Sequence, residues 1–248
     1  MAVVPVRYSE GFDRYEQIGG LDIWPEYNRH GDVVSSYWNQ LYDVFPDYQF
    51  VLYDDEADVV LAEGHTMPVT WDGTTDGLGP GIDASLQGGF ELHSAGGVPS
   101  ALCALAAEIP GSHRERRLAR VLLQHMVGLA RSAGLDWLIA PVRPNWKDRY
   151  PLTPIERYVT WTTTDGEPFD PWIRVHTRMG GMFATPISQS MRITGCVNEW
   201  ETWTEMAFPE TGEYVFPAGL ATVSIDREAD VGSYWEPNIW IVHRVPET

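Results

Sequence analysis

The segment SALCALAAEIPGSHRERRLARVLLQHMVGLARSAGLDWLIAPV, residues 100–142, constrains the fold more than any other stretch. It opens on an apolar run, 100–110, with the length of a buried strand. Residues 113–133 then place Leu118, Val121, Leu122, Met126, Leu129 and Ala133 on one face, the spacing of an amphipathic helix, and Gly134 ends it. DWLIAPV, 136–142, is a second buried strand. Strand, helix and strand joined by links this short predict a βαβ unit, with its two strands parallel.

The remaining elements fit around that unit. Residues 3–8 read as a first strand. In 33–46, Val34, Tyr37, Trp38, Leu41, Tyr42 and Phe45 recur at helical spacing until Pro46 stops the run. Residues 48–54 and 58–71 read as two strands joined by a short acidic turn. The Gly-, Asp- and Pro-rich stretch 72–99 reads as a long loop with a short helix near Gly88–His93. Residues 143–172 form a Pro-rich, aromatic excursion, 171–181 a helix ending at glycine, and 190–206 and 221–245 the last strands. There is no linker and no internal repeat. A single α+β domain over 1–248, with a mixed sheet flanked by helices, is expected, and 248 residues suffice for its core.

Composition narrows the function. Cys103 and Cys196 alone cannot build a disulfide framework or a Cys-rich zinc site. The seven histidines are scattered, without H-E-x-x-H or similar spacing, so no metal site is expected. No run of about 18 apolar residues is present, and MAVVPVRYSE is not a signal peptide, so a cytoplasmic location is expected. The net charge of −18 argues against broad coating of nucleic acid. That charge is uneven: residues 114–178 hold 11 of the 17 Lys and Arg against 7 acids, a net of +4 against −22 for the rest.

Part of this basic excess lies at the start of the central helix. Ser112 and Glu115 form S-x-x-E, a capping-box pattern that predicts a start near His113. Arg114, Arg116, Arg117 and Arg120 follow on the first two turns. A helix N-terminus presents unpaired N–H groups and a positive dipole end, so added arginines can grip a pyrophosphate. The alternative is a solvated helix face. In the excursion, Arg143, Lys147, Arg149 and Arg157 alternate with Trp146, Tyr150, Tyr158 and Trp161. Such interleaving either stacks on a base and pairs with phosphates or packs the aromatics onto the sheet.

The strand–loop–helix–strand segment 100–142 resembles the acyl-CoA-binding core of the GNAT N-acyltransferase superfamily. The family's Arg/Gln-x-x-Gly-x-Gly/Ala loop corresponds to Arg114-Glu115-Arg116-Arg117-Leu118-Ala119, with Arg117 standing where the family has glycine. The order of elements along the chain is also similar. The resemblance implies an N-acyltransferase with a GNAT-like fold, an acyl-CoA co-substrate and a small-molecule amine acceptor attacked directly. It places donor contacts at Ile109, His113, Arg114, Arg116, Arg117, Leu118, Ala119, Arg120 and Asn145, with the backbone N–H groups of Glu108 and Ile109 on the acyl carbonyl. His176 stands where the family often has a tyrosine that protonates the leaving thiolate. Glu108, ending an apolar strand, is a candidate base, and Glu236, between aromatics, a candidate holder of a cationic amine. Two other readings keep the fold: a transferase that takes its acyl group from an aminoacyl-tRNA, and a non-catalytic ligand-binding or interaction protein.

Overall fold

The structure is a computed structural model. It describes residues 3–10, 21, 23–116 and 118–246, without the side chains of 114–116. Its sheet begins with β1 (Val3–Arg7), β2 (Gln49–Asp54) and β3 (Val59–Val69), an antiparallel run that continues into β4 (Ala101–Glu108). β4 pairs in parallel with β5 (Trp137–Val142), as the βαβ pattern requires. β5 pairs antiparallel with the long β9 (Val231–Arg244), which also pairs with β6 (Met182–Gly195) and β8 (Val223–Asp226). β7 (Gly212–Tyr214) closes that edge. The order is β1-β2-β3-β4-β5-β9-β8-β7, with β6 on β9.

Helices cover both faces. On one lie α1 (Val34–Tyr37), α2 (Gln40–Val44) and α3 (Ile82–Ser94), where Val34, Leu41, Leu86 and Phe90 pack with Met67, Cys103 and Ile139. On the other lies α4 (Leu118–Ser132). Its Leu118, Leu122, Met126 and Leu129 pack on Leu52, Leu61, Leu102 and Leu138. Adjacent residues such as Leu102 and Cys103 thus serve opposite faces, the two-residue period of a strand. Each buried leucine contributes about 1.5–3 kcal/mol from area removed from water. α5 (Ile155–Tyr158), α6 (Pro171–Arg178) and α7 (Val197–Thr204) complete the described helices.

Several boundaries differ from the sequence expectation. The α4 helix begins at Leu118, not near His113. Residues Gly111–Arg116 form a 3-10 turn, with the His113 N–H on the Pro110 carbonyl at 2.9 Å. The capping-box pattern therefore lies in the tighter turn that precedes the α-helix. The 33–46 run is two short helices. The short helix expected near Gly88–His93 within 72–99 is the 13-residue α3, which starts already at Ile82, and Gly89 lets it sit against β3: a Cβ there would come within 2.1 Å of Met67 Cε. β6 starts at Met182 and ends at Gly195, so the second half of 190–206 is helix α7. Glu199 caps that helix, accepting from the Cys196 N–H at 2.7 Å.

One irregularity positions the site. β4 and β5 are in register only at Leu102–Leu138 and Cys103–Ile139. Beyond that point β4 stays with β3 out to Glu63–Glu108, while β5 stays with β9 to Val142–Ile239. Each strand follows its outer neighbour, and the sheet splits between them. β4 also carries a bulge: His65 and Thr66 face Ala106 and Ala104, which leaves Leu105 as the extra residue.

Candidate active site

The split opens into a cleft of about 1200 Å³. One side is the β4 edge from Ala104 to Ile109; the other is the end of β5, Ala140 to Arg143. Asn145, Trp146 and the α6 residues Trp172, Val175 and His176 extend the β5 side. Trp24, Trp38, Glu63 and His65 extend the β4 side. Past Cys103, alternate backbone groups on the β5-facing edge of β4 have no strand partner among the described residues. Unpaired backbone groups of this kind are docking points for an extended ligand bearing amides.

The β4 wall is acidic. Glu63 and Glu108 face each other across the β3–β4 register, and His65 projects beside them. His65 Nε2 lies 3.6 Å from Glu63 Oε2 and 3.7 Å from Glu108 Oε1, and all three residues are buried. Gln49 sets the ring. Its amide N–H groups are given to the Phe45 and Thr66 carbonyls, so its Oε1 accepts from His65 Nδ1 at 3.2 Å. Nε2 is thereby turned to the two carboxylates. Glu63 accepts from the Leu21 N–H, and Glu108 from Trp24 Nε1 at 2.7 Å. Burial raises the Glu108 pKa, with His65 and the Trp24 bond pulling the other way. The ligand atoms of this trio lie within 4.8 Å of one another, compact enough for a small cation or an ammonium group. A search for close histidine spacing passes over it, because Glu108 comes from a different strand. Its signal in the sequence is Glu63 and His65 at i, i+2 inside an otherwise apolar strand.

The α6 wall presents Trp172, Val175 and His176. Asp170 caps the helix, accepting from the Trp172 and Ile173 N–H groups, with Pro171 at its first position. His176 is 2 % exposed, and its ring meets the edge of Trp172. Its Nδ1 is 2.9 Å from His243 Nε2, and its own Nε2 is buried without a hydrogen-bond partner. Burial, and then His243, push the His176 pKa well below 6.5. Burial lowers His243 to about 4.

Glu236 also lines the cleft, but Arg143 holds it: Nε donates to Oε1 at 3.1 Å. Arg143 Nη2 further donates to the Tyr27 hydroxyl and the Ala218 carbonyl. Glu236 thus already carries a cation from its own chain.

Among the expected donor contacts, Ile109, Ala119 and Asn145 line the cleft. Leu118 is a core residue under α4, Arg120 is exposed outside the cleft, and His113 faces the Leu61 carbonyl. Leu118 and Arg120 are therefore not cleft residues, since the helix starts later and presents them to the sheet and to solvent. The side chains of Arg114 and Arg116, and all of Arg117, lie outside the described residues.

In the excursion the aromatics pack on one another: Tyr150, Tyr158, Trp161 and Phe169 form a set of edge contacts. Lys147 is buried, donating to the Tyr150 and Leu220 carbonyls, and Arg149 lies over Trp146. The packing alternative describes Tyr150, Tyr158 and Trp161, whereas Arg143, Trp146 and Arg149 line the cleft. Among the described residues no helix is long and apolar enough to cross a membrane.

No protein-family model matches the chain. The arginine N-acetyltransferase avaD of Aspergillus versicolor is 32% identical over 272 residues, covering 98% of this chain and 92% of that protein. Two solved structures share the fold with a TM-score of 0.58. The loading GNATL domain of CurA from Lyngbya majuscula is 14% identical over 99% of this chain and 98% of that one. The GphF GNAT-like decarboxylase, solved with isobutyryl-CoA, is 15% identical over 99% and 100%. With a mixed sheet and flanking helices that match GNAT-like structures, and with an arginine N-acetyltransferase similar along nearly its whole length, this chain belongs to the GNAT superfamily and is an acyltransferase.

Proposed function

We propose that the chain moves an acyl group from acyl-CoA to an amine of a small cationic molecule of the arginine class. The divergence of β4 from β5 carries this reading, because it leaves a β4 edge able to hydrogen-bond the amides of a pantetheine arm. The similar proteins support it: one is an arginine N-acetyltransferase, and a structure of the same fold holds an acyl-CoA.

The two walls then divide the work. Glu63 and Glu108 hold the guanidinium of the acceptor, and its reacting ammonium gives one proton to solvent before attack. The neutral amine attacks the thioester carbonyl, whose oxygen is met by backbone N–H groups near Glu108 and Ile109. His176 Nε2 takes the proton released by the attacking nitrogen. Its depressed pKa then favours handing that proton to the departing CoA thiolate as the C–S bond breaks. The products are an amide and free CoA, with the histidine returned to neutral.

The test is thiol release from acetyl-CoA with arginine, agmatine, benzylamine or no amine. Faster release with the two guanidino amines, with acylated product found by mass spectrometry, is expected. Release at one rate whatever the amine would overturn the reading.

A further inference from the structure

We infer that His243 is a positioning residue that holds His176 in the tautomer whose Nε2 can accept a proton. The inference rests on the reading of His176 as the proton carrier.

His243 comes from β9, opposite Leu138 of β5, and reaches under the end of α6. Its Nε2 lies 2.9 Å from His176 Nδ1, so the two rings share one proton. A neutral imidazole carries one N–H. Were the shared proton on His243 Nε2, the N–H of His176 would sit on its Nε2, which is buried without a hydrogen-bond partner on a residue lining the cleft. A buried N–H without an acceptor is costly. The shared proton therefore sits on His176 Nδ1, His243 Nε2 accepts it, and His176 Nε2 is a lone pair. The second histidine thus sets the tautomer of the first.

The backbone makes room for this pair. A Cβ on Gly181 would lie 2.6 Å from His243 Cε1, 2.9 Å from its Nε2 and 2.8 Å from the His176 carbonyl. Gly180, at φ +82°, turns the chain just before it. Glycine at 181 therefore leaves the space His243 occupies.

The experiment compares His243→Leu, which removes the acceptor, with His243→Gln, whose side-chain oxygen can replace it. Both are read by steady-state kinetics and by ¹⁵N NMR of the histidine rings, with His176→Ala assigning the His176 signals. The expected result is a wild-type His176 protonated at Nδ1 only, and a mixed tautomer in His243→Leu. The kcat of His243→Leu should fall about 10–100-fold with KM for acetyl-CoA unchanged, and His243→Gln should recover most of it. A wild-type His176 protonated at Nε2 overturns the inference, as does full kcat in His243→Leu while His176→Ala is inactive. In that second case the proton-carrier reading stands. If His176→Ala is itself fully active, the proton-carrier reading falls, and this inference with it.

Discussion

The two walls of the cleft each present a buried histidine, and the two rings face opposite surroundings. On the β4 side, Gln49 holds His65 so that Nε2 points at Glu63 and Glu108. On the α6 side, His243 holds His176, and its Nε2 meets no partner. A ring between carboxylates belongs to a surface that stabilises positive charge. A ring among Trp172, Val175 and a second histidine is kept neutral, because burial penalises the imidazolium. In the proposed function the difference gives two tasks to two walls: holding a cationic acceptor, and carrying the proton of the attacking amine to the leaving thiolate.

Variants should separate these tasks, and the largest effect belongs to the neutral wall. His176→Ala should cut kcat by about 10²–10⁴ and leave the KM of arginine little changed. A shift in KM alone would move His176 into acceptor binding. Next comes Glu108→Gln, which removes charge while keeping shape. The KM of arginine should rise about tenfold, close to 1.4 kcal/mol of binding, with a smaller loss of kcat. Unaltered kinetics would show that the acceptor's charge lies elsewhere. Gly181→Ala crowds His243 and should cost about 1–3 kcal/mol in urea unfolding, with a parallel loss of kcat.

The smallest effect concerns pH. His125 and His243 sit at about 4, and His176 is well below 6.5, all by burial first. Below pH 6.5 the unfolded chain takes up protons on these rings that the folded chain refuses, so stability falls as pH drops toward 4. Asp83, raised to about 6, and Glu108, also raised, act the other way, because the folded form takes up their protons first. Three groups outweigh two, at no more than about 1.4 kcal/mol per pH unit each. Unfolding midpoints at pH 7, 6 and 5 should decline, less steeply in His243→Gln. An equal slope in that variant would contradict a buried neutral His243.

The β4–α4–β5 unit was legible because its signal is contiguous: two apolar runs and one helical stripe fixing adjacent elements. Helix α3 was legible only in its second half, near Gly88–His93, since the Gly-, Asp- and Pro-rich stretch before it read as loop and the contact with Met67 that makes Gly89 useful is tertiary. The start of α4 was misplaced by a capping pattern that a 3-10 turn occupies. In the site, Glu108 stood out as the acid that ends an apolar strand, and His176 was singled out through the resemblance, at the position of the family's tyrosine. Glu63 and His65 could not be joined to Glu108, because the register that brings them together is a property of the β3–β4 pairing. His243 likewise gains its role from a strand that reaches the site 67 residues after His176.

The most direct test of this division is the rate of acetyl transfer to arginine compared with citrulline, its neutral isostere. The account predicts a kcat/KM at least tenfold higher for arginine in the wild type, and a ratio near one in Glu108→Gln, with His176→Ala slowing both substrates equally. Equal wild-type rates for the two substrates, or a Glu108→Gln enzyme that still prefers arginine by the full margin, would contradict it.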